Sequence, residues 1–150
     1  PLIKGLADGV IDTIGSDHAP HLLSEKDATY FKAPSGLPTI QQSLPALLTI
    51  ATKNDIPLTQ IASAFSEKAA DLYGLKRGKI KKGYAADLVI FDLSKEFTVK
   101  AEDIYSKCGW SPYEGETLKG YIEMVLVNGK TALKDGKITE EKAGSLLEFN

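Results

Sequence analysis

Apolar residues recur at helical spacing in three stretches of the first half of the chain. The first stretch holds Leu2, Ile3 and Leu6, and the Asp8-Gly9 pair that follows is a helix stop signal. The other two stripes are Ile40, Leu44, Leu47, Leu48 and Ala51, and then Ile61, Phe65, Ala69 and Leu72. Because side chains three and four residues apart share one helix face, the pattern predicts three amphipathic helices.

The ends of the second and third helices carry their own signals. Thr39 and Gln42 have the spacing of a capping box ahead of the second helix. Pro45 should kink that helix or lie within its first turn and a half, since proline lacks the backbone N–H. The third helix is predicted to run from about residue 59 to 73, with Gly74 at the C′ position.

Continuous apolar runs predict β-strands. Residues 10–14 are a β-branched run between two glycines and predict a short buried strand. Asn128-Gly129 lies between two apolar runs and predicts a hairpin with a type I′ turn, and Asp135-Gly136 predicts another turn. The remaining predicted strands cover residues 86–93, 97–99, 121–127 and 130–133.

The order of these elements predicts an α/β fold in two parts. Residues 1–75 contain a helix, a strand, a polar motif, a long polar loop over residues 22–38 and two helices. They look like the last strand-and-helix units of a larger α/β fold. Residues 76–150 form a small all-β part, which begins with the basic, glycine-rich segment 76–83, interpreted as a solvated linker.

Composition limits the classes of function. The 150 residues are 43% hydrophobic and 25% charged, which is ordinary for a soluble globular protein. A net charge of −2 provides no basic surface for nucleic acid or a membrane, and no apolar run approaches the roughly 18 residues of a transmembrane span. Cys108 is the only cysteine, which excludes an internal disulfide and favours a reducing compartment, the cytoplasm.

The stretch GSDHAPH, residues 15–21, holds both histidines of the chain and an aspartate directly after the predicted strand. Aspartate oxygen and histidine nitrogen both suit zinc, and a carboxylate beside a metal-activated water can carry its proton. In (β/α)8 barrels, catalytic residues occupy the C-terminal ends of strands, which is where Asp17 lies.

A structural interpretation of the same stretch stays open. Asp17 can simply cap the following loop, and His18 and His21 can be ordinary surface or core residues. Catalytic zinc usually takes three protein ligands, and the chain has no His-x-His and no cysteine pair. These residues alone therefore cannot assemble a convincing zinc site.

Several runs together resemble the cyclic amidohydrolases. The run from Gly9 to Lys26 is similar to the strand-eight motif of that family, in which DHAPH is typical of dihydroorotases and allantoinases. Hydantoinases and dihydropyrimidinases usually lack the second histidine of this motif. The likeness continues through the APSGLP run of residues 33–38. The runs KGYAADLV at 82–89, SKCGWSPYEG at 106–115 and VNGK at 127–130 look like the family's return to a β-sandwich and the C-terminal region of dihydroorotases.

The resemblance implies a metal-dependent (β/α)8 barrel followed by a small β-sandwich. Residues 1–75 would be the C-terminal end of the barrel, and residues 76–150 part of the sandwich with its connecting segment. A barrel takes about 250 residues, so we expect the chain to be the C-terminal portion of a longer protein. The resemblance places the other metal ligands, a His-x-His, a carboxylated lysine and two further histidines, upstream of Pro1.

The resemblance also assigns roles to individual residues. Asp17 matches the aspartate that binds the metal and shuttles the proton. His21 matches the histidine that contacts the carboxylate side of the substrate, and the backbone of Ser35 and Gly36 matches the loop that binds the amide edge of the ring. His18 matches a position that is not a metal ligand.

The implied function is that of a dihydroorotase, which hydrolyses the cyclic amide of dihydroorotate reversibly to N-carbamoyl aspartate in pyrimidine biosynthesis, with one or two zinc ions. An allantoinase or a hydantoinase-like enzyme is an alternative, and a non-catalytic amidohydrolase-like protein with a structural role is another. We expect a small-molecule substrate, no nucleic acid or membrane partner, and a homo-oligomer. As an isolated piece, the chain should expose strand edges and lack activity.

Other chemistry-bearing residues receive structural interpretations. Cys108 is read as a packed small hydrophobe, since no base adjoins it in sequence. Trp110 and Tyr113 are interpreted as packing their loop against the barrel. Tyr30 and Phe31, in the long polar loop, are weaker candidates for the border of a substrate pocket.

Overall fold

Helices occupy the chain up to Leu72, and an antiparallel sheet begins at Leu88. The computed structural model describes residues 1–140, 142–147 and 149. The α-helices are α1 (Leu2–Ala7), α2 (Leu23–Lys26), α3 (Ser43–Lys53), α4 (Leu58–Ala62) and α5 (Lys68–Leu72). A 3-10 turn (Ile40–Gln42) precedes α3, a π-helical segment (Ser63–Glu67) joins α4 to α5, and a second 3-10 turn spans Ala101–Asp103. Among the described residues, no helix has the length and apolar character needed to cross a bilayer.

All three predicted helices are present, the third as α4, the π-helical segment and α5 in succession, and the proline and glycine signals near their ends lie where the sequence predicts. Pro45 is the third residue of α3, where its missing N–H removes no helical hydrogen bond. Gly74 follows the C-cap of α5 with a φ of 66°, the left-handed conformation expected at C′. The loop predicted over residues 22–38 is interrupted by α2, at whose start the Glu25 carboxylate accepts a hydrogen bond from the Leu22 N–H at 2.8 Å.

The capping box predicted for Thr39 and Gln42 is wrong. The hydroxyl of Thr39 donates to the Ser16 carbonyl at 2.6 Å, so it does not cap the helix. The Gln42 side chain, which is buried, accepts a hydrogen bond from the Ser111 hydroxyl at 3.2 Å. Both side chains serve contacts that lie far away in sequence, and these contacts replace the local cap.

The helices enclose a small apolar core. Its buried members are Leu6, Ala51, Ile56, Ile61 and Ala64, and Ile11, Ile14 and Leu47 pack against them. The N–H of Ile14 also donates to the Ala64 carbonyl at 3.0 Å. The core therefore fixes the backbone immediately before the GSDHAPH stretch.

The buried strand predicted over residues 10–14 is wrong. Val10 is 75% exposed, and its N–H donates to the Gly5 carbonyl at 2.9 Å, not to a neighbouring strand. A strand forms only where another extended segment pairs with its N–H and C=O groups, and no described segment forms such a ladder with these residues. The β-branched composition thus indicates a strand for which the described residues provide no partner.

The sheet is an antiparallel meander with its strands in chain order. It consists of β1 (Leu88–Thr98), β2 (Thr117–Val127), β3 (Lys130–Lys134) and β4 (Lys137–Ile138). The two strands predicted over residues 86–93 and 97–99 form one strand, β1. An irregularity between Asp92 and Glu96 absorbs the polar residues between the two halves, and both halves pair with β2.

The hairpin turns have the predicted conformation. Asn128 and Gly129 have φ angles of 51° and 78°, as a type I′ turn requires, and they connect β2 to β3. Asp135 and Gly136 have φ angles of 50° and 73° and connect β3 to β4. These dipeptides tolerate the left-handed region, so the turns follow directly from the sequence.

The segment 76–83 is held at two positions, which corrects its interpretation as a solvated linker. Arg77 donates to the Asn128 side-chain oxygen at 2.8 Å. Lys79 donates to the Asp71 carboxylate at 2.8 Å, and this hydrogen bond is the main reason why the pKa of Lys79 is raised above its ordinary value. The segment is therefore bound to both the last helix and the sheet.

Strand β2 lies against α3, and Gly120 permits this close approach. A Cβ at Gly120, whose φ is 86°, would come within 2.4 Å of the Leu48 Cδ1. The hydroxyl of Thr49 accepts a hydrogen bond from the Lys119 N–H at 2.8 Å. Helix α3 thus has the apolar core on one side and the sheet on the other.

Candidate active site

Two adjoining loops form the candidate site. We call residues 15–21 the motif loop and residues 33–40 the glycine loop. His18 and Leu37 form a parallel β-bridge, and the N–H of Ala19 donates to the Leu37 carbonyl at 3.0 Å. The two loops therefore run side by side.

The glycine loop passes so close to the motif loop that one position has no room for a side chain. A Cβ at Gly36, whose φ is 99°, would lie 2.4 Å from the Cβ of Ala19. On the far side, the ammonium of Lys26 donates to the Pro34 carbonyl at 2.7 Å and ties α2 to the same loop. The exposed Ser35 and the partly buried Gly36 are thus held next to the motif loop.

Asp17 lies between two residues that the start of the 3-10 turn, at Thr39 and Ile40, holds in place. Ser16 accepts the hydrogen bond from the Thr39 hydroxyl at 2.6 Å, and the Nδ1 of His18 accepts one from the Ile40 N–H at 3.3 Å. Asp17 itself has a φ of 45°, a left-handed conformation that aspartate tolerates better than most other residues. Its exposed side chain therefore projects from a turn that is fixed on both sides.

His21 is held through its backbone. Its N–H donates to the Ala19 carbonyl at 3.0 Å, and its own carbonyl accepts a hydrogen bond from the Trp110 indole N–H at 2.8 Å. The imidazole is 39% exposed, and its Nδ1 lies 3.6 Å from a carboxylate oxygen of Glu25. This distance is too long for a hydrogen bond.

A cleft of about 140 Å³ lies beside the base of the motif loop. Its lining includes Gly15, Ser16, Thr39, Phe65 and Tyr113. Among the described residues, neither Asp17 nor His21 lines it. The cleft by itself therefore does not bring the candidate chemical groups together.

The described residues contribute to a metal site only in part. No group of three His, Cys, Asp or Glu side chains in the described ranges is arranged to hold a metal ion. The Asp17 carboxylate is exposed and is a suitable zinc ligand. The Nδ1 of His18 accepts a backbone hydrogen bond, so in the neutral ring the proton lies on Nε2 and neither nitrogen has a free lone pair for a metal. One candidate ligand therefore fits, and these residues do not form the centre alone.

The structure places all the predicted site residues on the two loops. Asp17 and His21 lie on the motif loop, and Ser35 and Gly36 lie on the glycine loop. The bridge between His18 and Leu37 joins the loops that carry them. Their chemical roles remain predictions.

Sequence reasoning missed how these loops are held. Lys26 and Thr39 were given no role in the site, and Trp110 was interpreted only as a packing residue. Lys26 ends the run that resembles the family motif, and Trp110 lies in another such run. Their place in these runs was the sequence signal that could have indicated a role in the site. Cys108 lies 3.2 Å from the Ser106 hydroxyl and donates to the Trp110 carbonyl at 3.6 Å, contacts that fit a structural residue.

Residues 1–132 match the amidohydrolase family. The chain belongs to this family. It is 43% identical over 117 residues to the dihydroorotase of Methanosarcina acetivorans, an alignment that covers 76% of this chain and 25% of that protein. It is 33% identical over 137 residues to the dihydroorotase of Pyrococcus furiosus, with 91% of this chain and 32% of that protein covered.

Amidohydrolases of known structure share this arrangement. The L-hydantoinase (dihydropyrimidinase) from Arthrobacter aurescens superimposes with a TM-score of 0.91 at 31% identity, covering 97% of this chain and 34% of that one. The chain spans about a quarter to a third of the length of the curated relatives it matches. The resemblance to the cyclic amidohydrolases is therefore confirmed.

Proposed function

We propose that the chain is the C-terminal part of a dihydroorotase. The observation that supports the proposal is the pairing of the motif loop with the glycine loop, since these are the two segments that carry the residues expected to bind substrate and metal. The identity to dihydroorotases of several organisms supports the reaction. That reaction adds water across the cyclic amide of dihydroorotate and gives N-carbamoyl aspartate.

Within this proposal, Asp17 transfers the proton. Its carboxylate accepts a proton from the attacking water and delivers it to the amide nitrogen, which leaves as the ring opens. The fixed turn at Asp17 supports this role, because proton transfer needs a group held within hydrogen-bonding reach. The same carboxylate also binds the metal.

His21, Ser35 and Gly36 bind the substrate. The half-exposed imidazole of His21 interacts with the substrate carboxylate. The backbone groups of Ser35 and Gly36 hydrogen-bond the amide edge of the ring. The positive φ of Gly36 and its contact with Ala19 support this, because only glycine brings the two loops this close.

We propose zinc, as one or two ions, with Asp17 as one ligand and the remaining ligands supplied by residues outside this chain. When bound, zinc supplies Lewis-acid activation of the attacking water and of the amide carbonyl. The carboxylate oxygens of Asp17 suit this ion.

The architecture proposed for the whole protein is a (β/α)8 barrel with a small β-sandwich. Residues 1–75 would complete the barrel, and residues 76–150 would contribute to the sandwich. The β-branched run at residues 10–14, with which no described strand pairs, supports this, because a barrel would supply neighbouring strands. We further propose a homo-oligomer that works in the cytoplasm without nucleic acid or membrane partners.

A hydantoinase-like enzyme is the second candidate, and the structural neighbours favour it. The hydantoinase from Arthrobacter aurescens matches at a TM-score of 0.91. The Cys108-Gly109-Trp110 run and the second histidine of the motif, His21, favour the dihydroorotase instead. An allantoinase shares the motif and is tested in the same way.

The test is ring opening by the purified full-length protein with its metal. Dihydroorotate, allantoin, hydantoin and dihydrouracil are compared at equal concentrations by chromatography of the products. We expect kcat/KM for dihydroorotate to exceed that for each competitor by at least about 100-fold. A higher value for a competitor would identify the alternative enzyme, and no turnover of any substrate would favour the non-catalytic protein.

The isolated 150-residue chain should show no turnover in the same assay. Among its described residues only Asp17 is proposed as a metal ligand, and one ligand cannot hold a catalytic zinc ion. Metal-dependent hydrolysis of dihydroorotate by the pure chain would contradict this expectation.

A further inference from the structure

The backbone of His21 is held from a distant part of the chain. Its carbonyl accepts the Trp110 indole N–H at 2.8 Å, across 89 residues of sequence. On its other side, the His21 N–H donates to the Ala19 carbonyl at 3.0 Å. Both peptide groups that flank His21 are therefore fixed.

The residue that donates this hydrogen bond is itself anchored. Ser111, next to Trp110, is 6% exposed, and its hydroxyl donates to the Gln42 side-chain oxygen at 3.2 Å. A few residues later, the Gly115 N–H donates to the Val99 carbonyl at 2.9 Å, at the base of the sheet. The indole is thus presented to the motif loop by a segment that is fixed at the 3-10 turn before α3 and just beyond the end of β1.

Among the described residues, the imidazole of His21 has one ion-pair contact, with Glu25, whose carboxylate oxygen lies 3.6 Å from Nδ1, beyond hydrogen-bond distance. No hydrogen bond from a described residue reaches the ring. The direction of the ring is therefore set by this contact together with the backbone that Trp110 holds.

We propose that Trp110 is a positioning residue for His21. Its indole N–H fixes the His21 carbonyl, and the direction of the imidazole then sets the affinity for the carboxylate of the substrate. The inference rests on the proposed function for its substrate. It also means that the segment between β1 and β2, which contains Trp110, contributes directly to the site.

The test is Trp110→Phe in the full-length metal-loaded protein. This change keeps an aromatic ring and removes the N–H donor. Losing one hydrogen bond should raise the KM for dihydroorotate, and the Kd for N-carbamoyl aspartate, by about fivefold. The kcat should stay within about twofold of the wild-type value, because the reacting groups are untouched.

Tyr105→Phe is the matched control. The Tyr105 hydroxyl lies on the same inter-strand segment and donates to a backbone carbonyl, that of Gly136, at the same distance of 2.8 Å. That carbonyl belongs to a hairpin turn, so losing this bond should leave KM and kcat unchanged. An equal rise of KM in both variants would overturn the proposal, because it would mean a general loosening of the segment.

A double-mutant cycle with His21→Ala tests the route of the effect. If Trp110 acts through His21, Trp110→Phe should change KM by less than about twofold in the His21→Ala background. Fully additive effects would overturn the proposal.

A spectroscopic readout separates this inference from the proposed function. In protein labelled with ¹³C-histidine, the His21 ring signal, assigned by its loss in His21→Ala, should shift in Trp110→Phe and stay in place in Tyr105→Phe. An unshifted signal in Trp110→Phe would overturn the positioning role. Wild-type protein without ring-opening activity would overturn the proposed function, and the His21 signal would still decide the role of Trp110.

Discussion

The hairpins of the sheet and the two site loops are stabilised by contacts of different range. Each strand of the sheet pairs with the next one in sequence, and two residues, Asn128 and Gly129, make the connection between β2 and β3. The motif loop is held instead by Thr39, 23 residues away from its partner, and by Trp110, 89 residues away. The hairpins that connect β2, β3 and β4 are thus specified locally, whereas the site depends on distant segments.

This difference predicts where substitutions affect function and where they affect stability. Changes in the sheet remove hydrogen bonds of the fold and should lower its stability. Changes in the motif loop or the glycine loop act on exposed groups and should alter chemistry or substrate affinity first.

The largest expected effect is on catalysis by Asp17→Asn in the full-length protein. The amide keeps the left-handed φ of 45° and cannot accept the proton, so kcat should fall by at least about 100-fold. Asp55→Asn is the control, because Asp55 is also exposed and has a φ of 52°. Steady-state kinetics should show lost turnover for Asp17→Asn and normal turnover for Asp55→Asn. Thermal unfolding should give an unchanged midpoint for both variants. Activity within a few-fold of wild type would remove Asp17 from the mechanism.

The next effect is expected for Gly36→Ala. The new Cβ would meet Ala19 at 2.4 Å and take an unfavourable φ of 99°, which together should cost about 2–4 kcal/mol locally. Hydrogen exchange should rise in residues 15–21 and 33–40 and stay unchanged in the sheet. Gly115→Ala carries the φ penalty, at 83°, without any atom within 4 Å of the new Cβ. Equal effects of the two variants would show that the contact between the loops is unimportant.

Asn128→Ala should act on the sheet alone. It removes a residue suited to the φ of 51° and the oxygen that accepts a hydrogen bond from Arg77 at 2.8 Å. We expect a loss of about 1–3 kcal/mol in the free energy of unfolding, measured by urea titration, with KM unchanged. Asp135→Ala, at a φ of 50°, is the control for the backbone penalty. A large change in KM for Asn128→Ala would break the separation between sheet and site.

The smallest expected effect is a pH dependence at Asp92. The Ser94 hydroxyl donates to this carboxylate at 2.6 Å, and this bond is the main reason why the pKa of Asp92 lies below its ordinary value of 3.8. The stabilisation is therefore present above the unfolded pKa and is lost as the pH falls through the lower folded pKa. Ser94→Ala should lower the urea midpoint by a constant amount above about pH 5, and the difference should shrink below pH 3.8.

Ser66→Ala, on an exposed helical position, is the control for the loss of a serine hydroxyl. It should give no such pH-dependent difference. A difference between wild type and Ser94→Ala that grows on acidification would show that the hydrogen bond does not favour the charged form of Asp92.

Sequence reasoning predicted the helices and turns well, because their signals are local. Gly74 ends α5 and Asn128-Gly129 closes the hairpin by conformational freedom that those residues have in any context. The capping box at Thr39 was wrong because a polar side chain can bond to any nearby acceptor, and here the carbonyl of Ser16 lies within reach. The sequence pattern does not show that the Ser16 carbonyl competes with the helix N-terminus for the Thr39 side chain.

The amino-acid sequence by itself determined the periodicity of the helices, the hairpin turns and the presence of Asp17, His21, Ser35 and Gly36 in motifs of one family. Only the tertiary structure decided that the motif and glycine loops lie together, and that Trp110 reaches His21. Residues 10–14 show that composition alone does not make a strand, since they favour one but no described segment pairs with them. The physical reason is that turns and helices are closed by hydrogen bonds within a few residues, whereas strands and sites require partners that only folding brings near.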